Sequence, residues 1–164
     1  MQVSAKKLST CLCFDTQAQE AANFYVSVFK NSKVGHVSHY PQDVAGVKAG
    51  SVMMVEFDLN GQAFTALNGG PQYKFPEAVS FQVACDSQEE IDYFWGRLTE
   101  GGEEGPCGWL KDNYGVSWQV FPSALPKMLM DSDKATAARV MGAFMKMKKF
   151  DLAQLTRAYE GEAA

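Results

Sequence analysis

The chain has 164 residues, 46% hydrophobic and 21% charged, with a formal net charge of −4. That balance excludes a disordered chain and is large enough to bury a core without disulfide or metal staples. The acidic charge, with no Lys/Arg cluster able to neutralise a row of phosphates, excludes nucleic acid as a partner. No run approaches the ~20 apolar residues of a membrane span, and the first fifteen residues have no long apolar core or cleavage signature of a signal peptide. Cys11, Cys13, Cys85 and Cys107 lack disulfide-rich spacing, so reduced thiols and a cytoplasmic location are expected.

In chain order, the apolar run from Leu8 to Phe14 predicts a strand. Asp15-Thr16-Gln17 then opens a helix over 17–29 that contains Phe24-Tyr25. Thr16 with Gln19 has the spacing of a capping box. Strands follow near 33–40 and 51–59, and Asn60-Gly61 predicts a hairpin turn into a strand carrying Phe64 and Thr65. The intervening loop, Tyr40 to Ser51, reads as either a mobile lid or a solvated connection. Gly69-Gly70-Pro71 and Phe75-Pro76 mark a link.

The order then repeats. Val79 to Cys85 predicts a strand, Asp86-Ser87-Gln88 opens a helix over 88–100, and Phe94-Trp95 stands where Phe24-Tyr25 stood. Ser87 with Glu90 repeats the capping box. Asp15 matches Asp86, and Glu20 matches Glu90. Near the end of each half Gly61 matches Gly115, Phe64 matches Trp118 and Thr65 matches Gln119. One strand is clear near 107–111; an earlier one is ambiguous. After Pro122 a short helix near Leu125, Met128 and Leu129 is predicted. A longer one follows over 134–149, capped by Asp133, and a third is capped by Asp151. The tail 161–164 is expected to fray.

The motifs FTALNGGP (64–71), CGWLKDNYGVSWQ (107–119) and MKMKKFDLAQL (145–155) resemble the PhnB-like family. That family is also labelled 3-demethylubiquinone methyltransferase-like and lies within the vicinal oxygen chelate (glyoxalase/bleomycin-resistance) superfamily. The resemblance implies an α+β fold: two βαβββ modules, about 5–68 and 77–122, forming curved mixed half-sheets around a cavity. A helical extension, 123–164, completes the paired-module region 1–122. It also implies a homodimer, in keeping with the apolar surface of Val140, Met141, Phe144, Met147, Leu152 and Leu155, which needs cover.

In relatives that use a metal, ligands come from the first and last strand of each module. Here those positions hold Ser9, Thr65, Ser80 (or Ala78) and Gln119. Period-2 alternation also turns Cys11, Gln82 and Ser117 to the cavity side, with Phe64, Phe81, Val83 and Trp118 on the helix side. Hydroxyls and amides are weak ligands for a divalent ion, so no metal and no cofactor are expected. His36 and His39 both lie in one half and read as edge-strand histidines. Cys11 and Cys13 read as small filler, since no cation or helix N-terminus is visible to activate a thiolate. Trp109 either lines the cavity mouth or packs within its strand. No glycine-rich strand-to-helix turn offers a methyl-donor site.

The expected ligand surface is therefore Gln119, Thr65, Ser80, Ser9, Gln82, Cys11 and Trp109. It suits a small neutral polar molecule. Three functions stay open: a metal-independent enzyme, a non-catalytic sequestering protein, and the methyltransferase of the family label.

Overall fold

The computed structural model describes residues 8–161. The expected module start at residue 5 and the tail residues 162–164 lie outside the described residues. The chain divides into two compact units, Met1–Lys74 and Phe75–Ala164.

In the first unit β1 (Thr10–Phe14) leads to α1 (Ala18–Val28), then β2 (Lys33–His39), β3 (Val52–Leu59) and β4 (Gln62–Asn68). The sheet order is β1-β4-β3-β2. β1 runs parallel to β4, and the other pairs are antiparallel. Helix α1 buries Ala18, Ala21, Ala22, Tyr25 and Val28, a stripe at helical spacing. Tyr25 stacks on Phe57, which stacks on Phe64 at 5.2 Å. Each such buried ring contributes about 1.5–3 kcal/mol. β3 and β4 are joined by Asn60 and Gly61, with φ 49° and 87°, the left-handed pair that matches strand twist in a two-residue hairpin.

The predicted capping box at Thr16 does not form. Gln17 is the N-cap and supplies no side-chain bond. Instead Asn68 Oδ1 accepts from Ala18 N at 2.8 Å, while Asn68 Nδ2 donates to Val52 O. A side chain at the end of β4 thus satisfies the helix donor that a local cap would have taken.

The second unit holds β5 (Phe81–Cys85), α2 (Gln88–Thr99), β6 (Glu103–Glu104), β7 (Trp109–Lys111) and β8 (Ser117–Pro122), followed by α3 (Leu125–Leu129), α4 (Lys134–Phe144) and α5 (Leu152–Glu160). Its sheet order is β5-β8-β7-β6, with β5 parallel to β8. Here the capping box forms: Glu90 N donates to Ser87 Oγ, and Asp86 N donates to the Glu90 carboxylate at 2.7 Å. Helix α2 buries Ile91, Trp95 and Leu98. Phe94, next to Trp95 in the chain, is half-buried and packs edge-on to Tyr93.

Two expected elements are shorter than their patterns. The strand predicted from Cys107 starts at Trp109, because Cys107 and Gly108 take φ 54° and 80°. The helix expected to reach Lys149 stops at Phe144. One contact explains both: Cys107 N and Gly108 N donate to Met147 O and Lys148 O, each at 2.8 Å. This turns the backbone after α4 toward the β6–β7 connection and seats Phe150 in the core at 2% exposure. A Cβ on Gly108 would come within 2.4 Å of the Phe150 ring. Gln88 secures the same segment, donating to Phe150 O and accepting from Leu152 N.

The turn from β7 to β8 is built on Asp112, which is 3% exposed. Its Oδ1 accepts from Tyr114 N and Val116 N, and its Oδ2 accepts from Trp118 Nε1 at 2.8 Å. Asp112→Ala strands a buried indole N–H and two turn amides. It is expected to cost about 3 kcal/mol, read as a lower urea midpoint. An unchanged midpoint would show the turn to be held by its backbone alone.

Candidate functional site

In the second unit, register sets one polar row across three strands. Gln82 on β5 pairs with Gln119 on β8, and Gln119 pairs with Trp109 on β7. One residue away, Val83, Trp118, Val120 and Leu110 are buried. The row is therefore the sheet face turned away from the core. Ser80 lies just before β5, and Gln119 Nε2 donates to its hydroxyl at 2.8 Å. The structure thus brings together Ser80, Gln82, Gln119 and Trp109. The next row on the same face pairs Ser117 with Lys111, and Lys111 with Glu103.

A cleft of about 440 Å³ opens on this unit, lined by Glu77, Glu103, Glu104, Trp109, Lys111 and Ser117 among others. Lys111 Nζ lies 2.5 Å from Glu77 Oε1. Their hydrogen bond, and then their charges, hold the Glu77 carboxyl below its ordinary range and the Lys111 ammonium above its own. Glu104 accepts from Trp95 Nε1 at 2.9 Å. Sequence reasoning missed Glu77, Glu103 and Lys111. Glu77 falls in the link, where no periodicity selects it. Ser117 was placed on this face by the alternation that selected Gln119, and its burial was the missing signal.

In the first unit the corresponding row is Cys11 on β1, Thr65 on β4 and Glu56 on β3. Cys11 and Thr65 are neighbours; Ser9 precedes β1 and is exposed. Burial of its sulfur, although the residue as a whole is exposed, pushes the Cys11 thiol up, and neighbouring Cys13 adds to this. This thiol is poorly suited to act as a nucleophile. His36 and His39 are both exposed on β2. A bulge there sets Gly35 and His36 opposite Glu56 alone.

The ligand positions of metal-using relatives hold three hydroxyls and one amide, and that amide already donates to Ser80. Among the described residues no group of three or more His, Cys, Asp and Glu is placed to hold an ion. These residues do not fit a catalytic divalent metal. Nor do the strand-to-helix turns, 15–17 and 86–87, fit a dinucleotide-type methyl-donor loop, since neither contains glycine. Among the described residues no helix is long and apolar enough to cross a membrane.

The family described as 3-demethylubiquinone-9 3-methyltransferase matches residues 6–121. The PhnB protein from Bacillus cereus shares 35% identity, with a TM-score of 0.62 over 70% of this chain and 98% of that one. The chain belongs to this PhnB-like family of the vicinal oxygen chelate superfamily. A Pseudomonas aeruginosa protein, 19% identical, covers 72% of this chain and 98% of its own with a TM-score of 0.58. The fosfomycin resistance protein FosX from Listeria monocytogenes is 16% identical, covering 79% and 100%, with a TM-score of 0.52. These last two likenesses show the fold alone. No protein with a curated description matches the chain in sequence. The PhnB-like fold is thus an α+β arrangement of two four-stranded mixed sheets with helices, as its sequence implied.

Cys85 gives a check on the packing beneath α2. Burial, then the Glu90 and Asp86 carboxylates, push its thiol up to about 12. At pH 8 only about one Cys85 in 10⁴ is then a thiolate. Iodoacetamide at that pH is expected to label Cys85 only after denaturant is added. Fast labelling in native protein would contradict the burial.

Proposed function

We propose that this PhnB-like chain binds a small polar molecule without a metal, on the polar face of the second-unit sheet. Gln119 is the anchor, with Ser80, Gln82 and Trp109 around it. The observation that carries this reading is the Gln82–Gln119–Trp109 row, tied to Ser80 by the 2.8 Å bond. A fixed amide beside hydroxyl and indole groups offers directional donors and acceptors without net charge. On the first unit, Cys11 and Thr65 pair in the corresponding row and Ser9 precedes it, a polar surface of the same kind.

Binding, with or without turnover, is the activity we assign, and methyl transfer is not. The support is the absence of glycine from both strand-to-helix turns. Calorimetry with S-adenosylmethionine is expected to show no tight binding, and methylation of a quinone precursor would reverse the assignment.

The primary test is native mass spectrometry of freshly purified protein, followed by titration of the compound it carries. Gln119→Ala is expected to weaken that binding by about 1–3 kcal/mol, because a buried partner loses its hydrogen bond. If the substitution lowers the melting temperature but leaves affinity intact, Gln119 is only a cross-strand brace.

A cytoplasmic homodimer completes the proposal. Val140 and Leu155 are buried within the second unit, but Met130, Met141 and Met145 are 79%, 48% and 60% exposed. Apolar surface of this kind favours a partner. Sedimentation at micromolar concentration is expected to show twice the chain mass; a monomer alone would reject it.

A further inference from the structure

Away from the sheet face, two sulfur atoms meet where α4 ends, and a third stands one turn away. Cys107 Sγ lies 3.9 Å from Met145 Sδ. The thiol is held there by its backbone: Cys107 N and Gly108 N donate to Met147 O and Lys148 O, each at 2.8 Å. Met145 N donates to Met141 O at 3.1 Å, so the helical register runs through both methionines. Met141 therefore stands one turn before Met145 on the same side of the helix. The two are 48% and 60% exposed, so neither serves as core filler. Cys107 is a free, half-buried thiol.

As a hydrogen bond, a thiol donating to a thioether is weak. The same pair is better suited to a soft metal ion. With metal–thiolate bonds of about 2.3 Å, two donors at a trigonal angle stand about 4 Å apart. Cys107 and Met145 already have that spacing. Thiolate and thioether sulfurs are also the donors that select copper(I). Charge makes the same choice. Lys146 and Lys148 are exposed in the segment that carries Met145. A monovalent ion on one thiolate is neutral and meets no repulsion from them, whereas a divalent ion would keep a positive charge beside both. A divalent ion would also need nitrogen or oxygen ligands, and among the described residues no group of three or more His, Cys, Asp and Glu is placed to hold one. We propose that Cys107, Met145 and Met141 form a binding site for a soft monovalent metal ion of the copper(I) class. As the ion binds, the Cys107 thiol gives its proton to solvent. One metal–thiolate and two metal–thioether bonds form, with no change of oxidation state. The site is separate from the Gln119 row and does not rest on it.

The test titrates the full chain with silver(I) nitrate in chloride-free buffer, silver(I) being a redox-inert ion of the same class. Binding is read from the ε-methyl resonances of Met145 and Met141, assigned with Met145→Leu and Met141→Leu. Cys11 and Cys13 also offer thiols, so these methyl signals, and not the total silver bound, decide the site. Silver(I) is expected to shift both methyl signals saturably, and zinc(II) at the same concentration to shift neither. Cys107→Ser keeps the backbone bonds and is expected to abolish the shift at Met145. Met145→Leu, at an exposed position, is expected to weaken silver(I) at least ten-fold, read from the amides of Cys107 and Gly108. The ring signals of Phe150, seated by the same backbone bonds, report whether each variant is folded, and the wild-type titration decides the matter even where one is not. A Met145 methyl that silver(I) leaves unmoved, a shift that survives Cys107→Ser, a shift at Met145 without one at Met141, or zinc(II) bound as tightly as silver(I) would each overturn the inference.

Discussion

The parallel pairing of the first and last strand in each unit is the constraint from which the rest follows. Parallel neighbours cannot be joined by a tight turn, so the chain must leave β1, cross by a helix and return through two more strands. The apolar side of the sheet is then covered by that helix, and the opposite face is left for polar groups. Register completes the effect. Thr10 beside Phe64 and Phe81 beside Trp118 fix the core side. Cys11 beside Thr65 and Gln82 beside Gln119 follow on the other side, one residue along. A slip of one residue would send Trp118 outward and Gln119 into the core, so the polar face and the hydrophobic core are specified by the same pairing.

Polar tethers hold what apolar packing alone leaves loose. Asn68 joins the end of β4 to the start of α1 and to β3. Asp112 gathers the β7–β8 turn and the Trp118 indole. Both lie at strand ends, where the ladder stops and backbone groups would otherwise lack partners. They set the ends of the polar face without standing in it. The Asp112 turn also matters for the cleft, because it joins Lys111 to Ser117, which pair across it and both line the cleft.

The helices after β8 are held by a short backbone splice rather than by helix packing alone. The amides of Cys107 and Gly108 bind the carbonyls of Met147 and Lys148, and Phe150 fills the space that a side chain on Gly108 would take. Two of the three motifs that carried the family resemblance, 107–119 and 145–155, meet at this point. Their shared presence has a packing reason: the carbonyls of one segment are the partners of the amides of the other. Arg139 serves the last helix, donating to Ala158 O and Tyr159 O near its C-terminus, where a cation suits the helix dipole.

By itself the sequence determined the repeat, both crossover helices to within a residue or two, the Asn60-Gly61 hairpin and the core side of the first and last strand of each half. These are local properties: alternation, helical spacing and turn chemistry depend on neighbours along the chain. It also placed Thr65 and Gln119 at equivalent positions, because the two halves could be compared directly. Only the tertiary structure decided the rest. Asn68 displaced Thr16 as the cap of α1, since the Ala18 amide donates to a partner fifty residues away. The helix expected to reach Lys149 ended at Phe144, where Lys146 N and Met147 N turn to carbonyls three residues back and the chain leaves to bind the amides of residues 107 and 108. Glu77, Glu103, Lys111 and Ser117 came together from a linker, an edge strand and two sides of a turn. No periodicity connects such residues, because an ion pair and the lining of a cleft are properties of a place in space rather than of a stretch of chain.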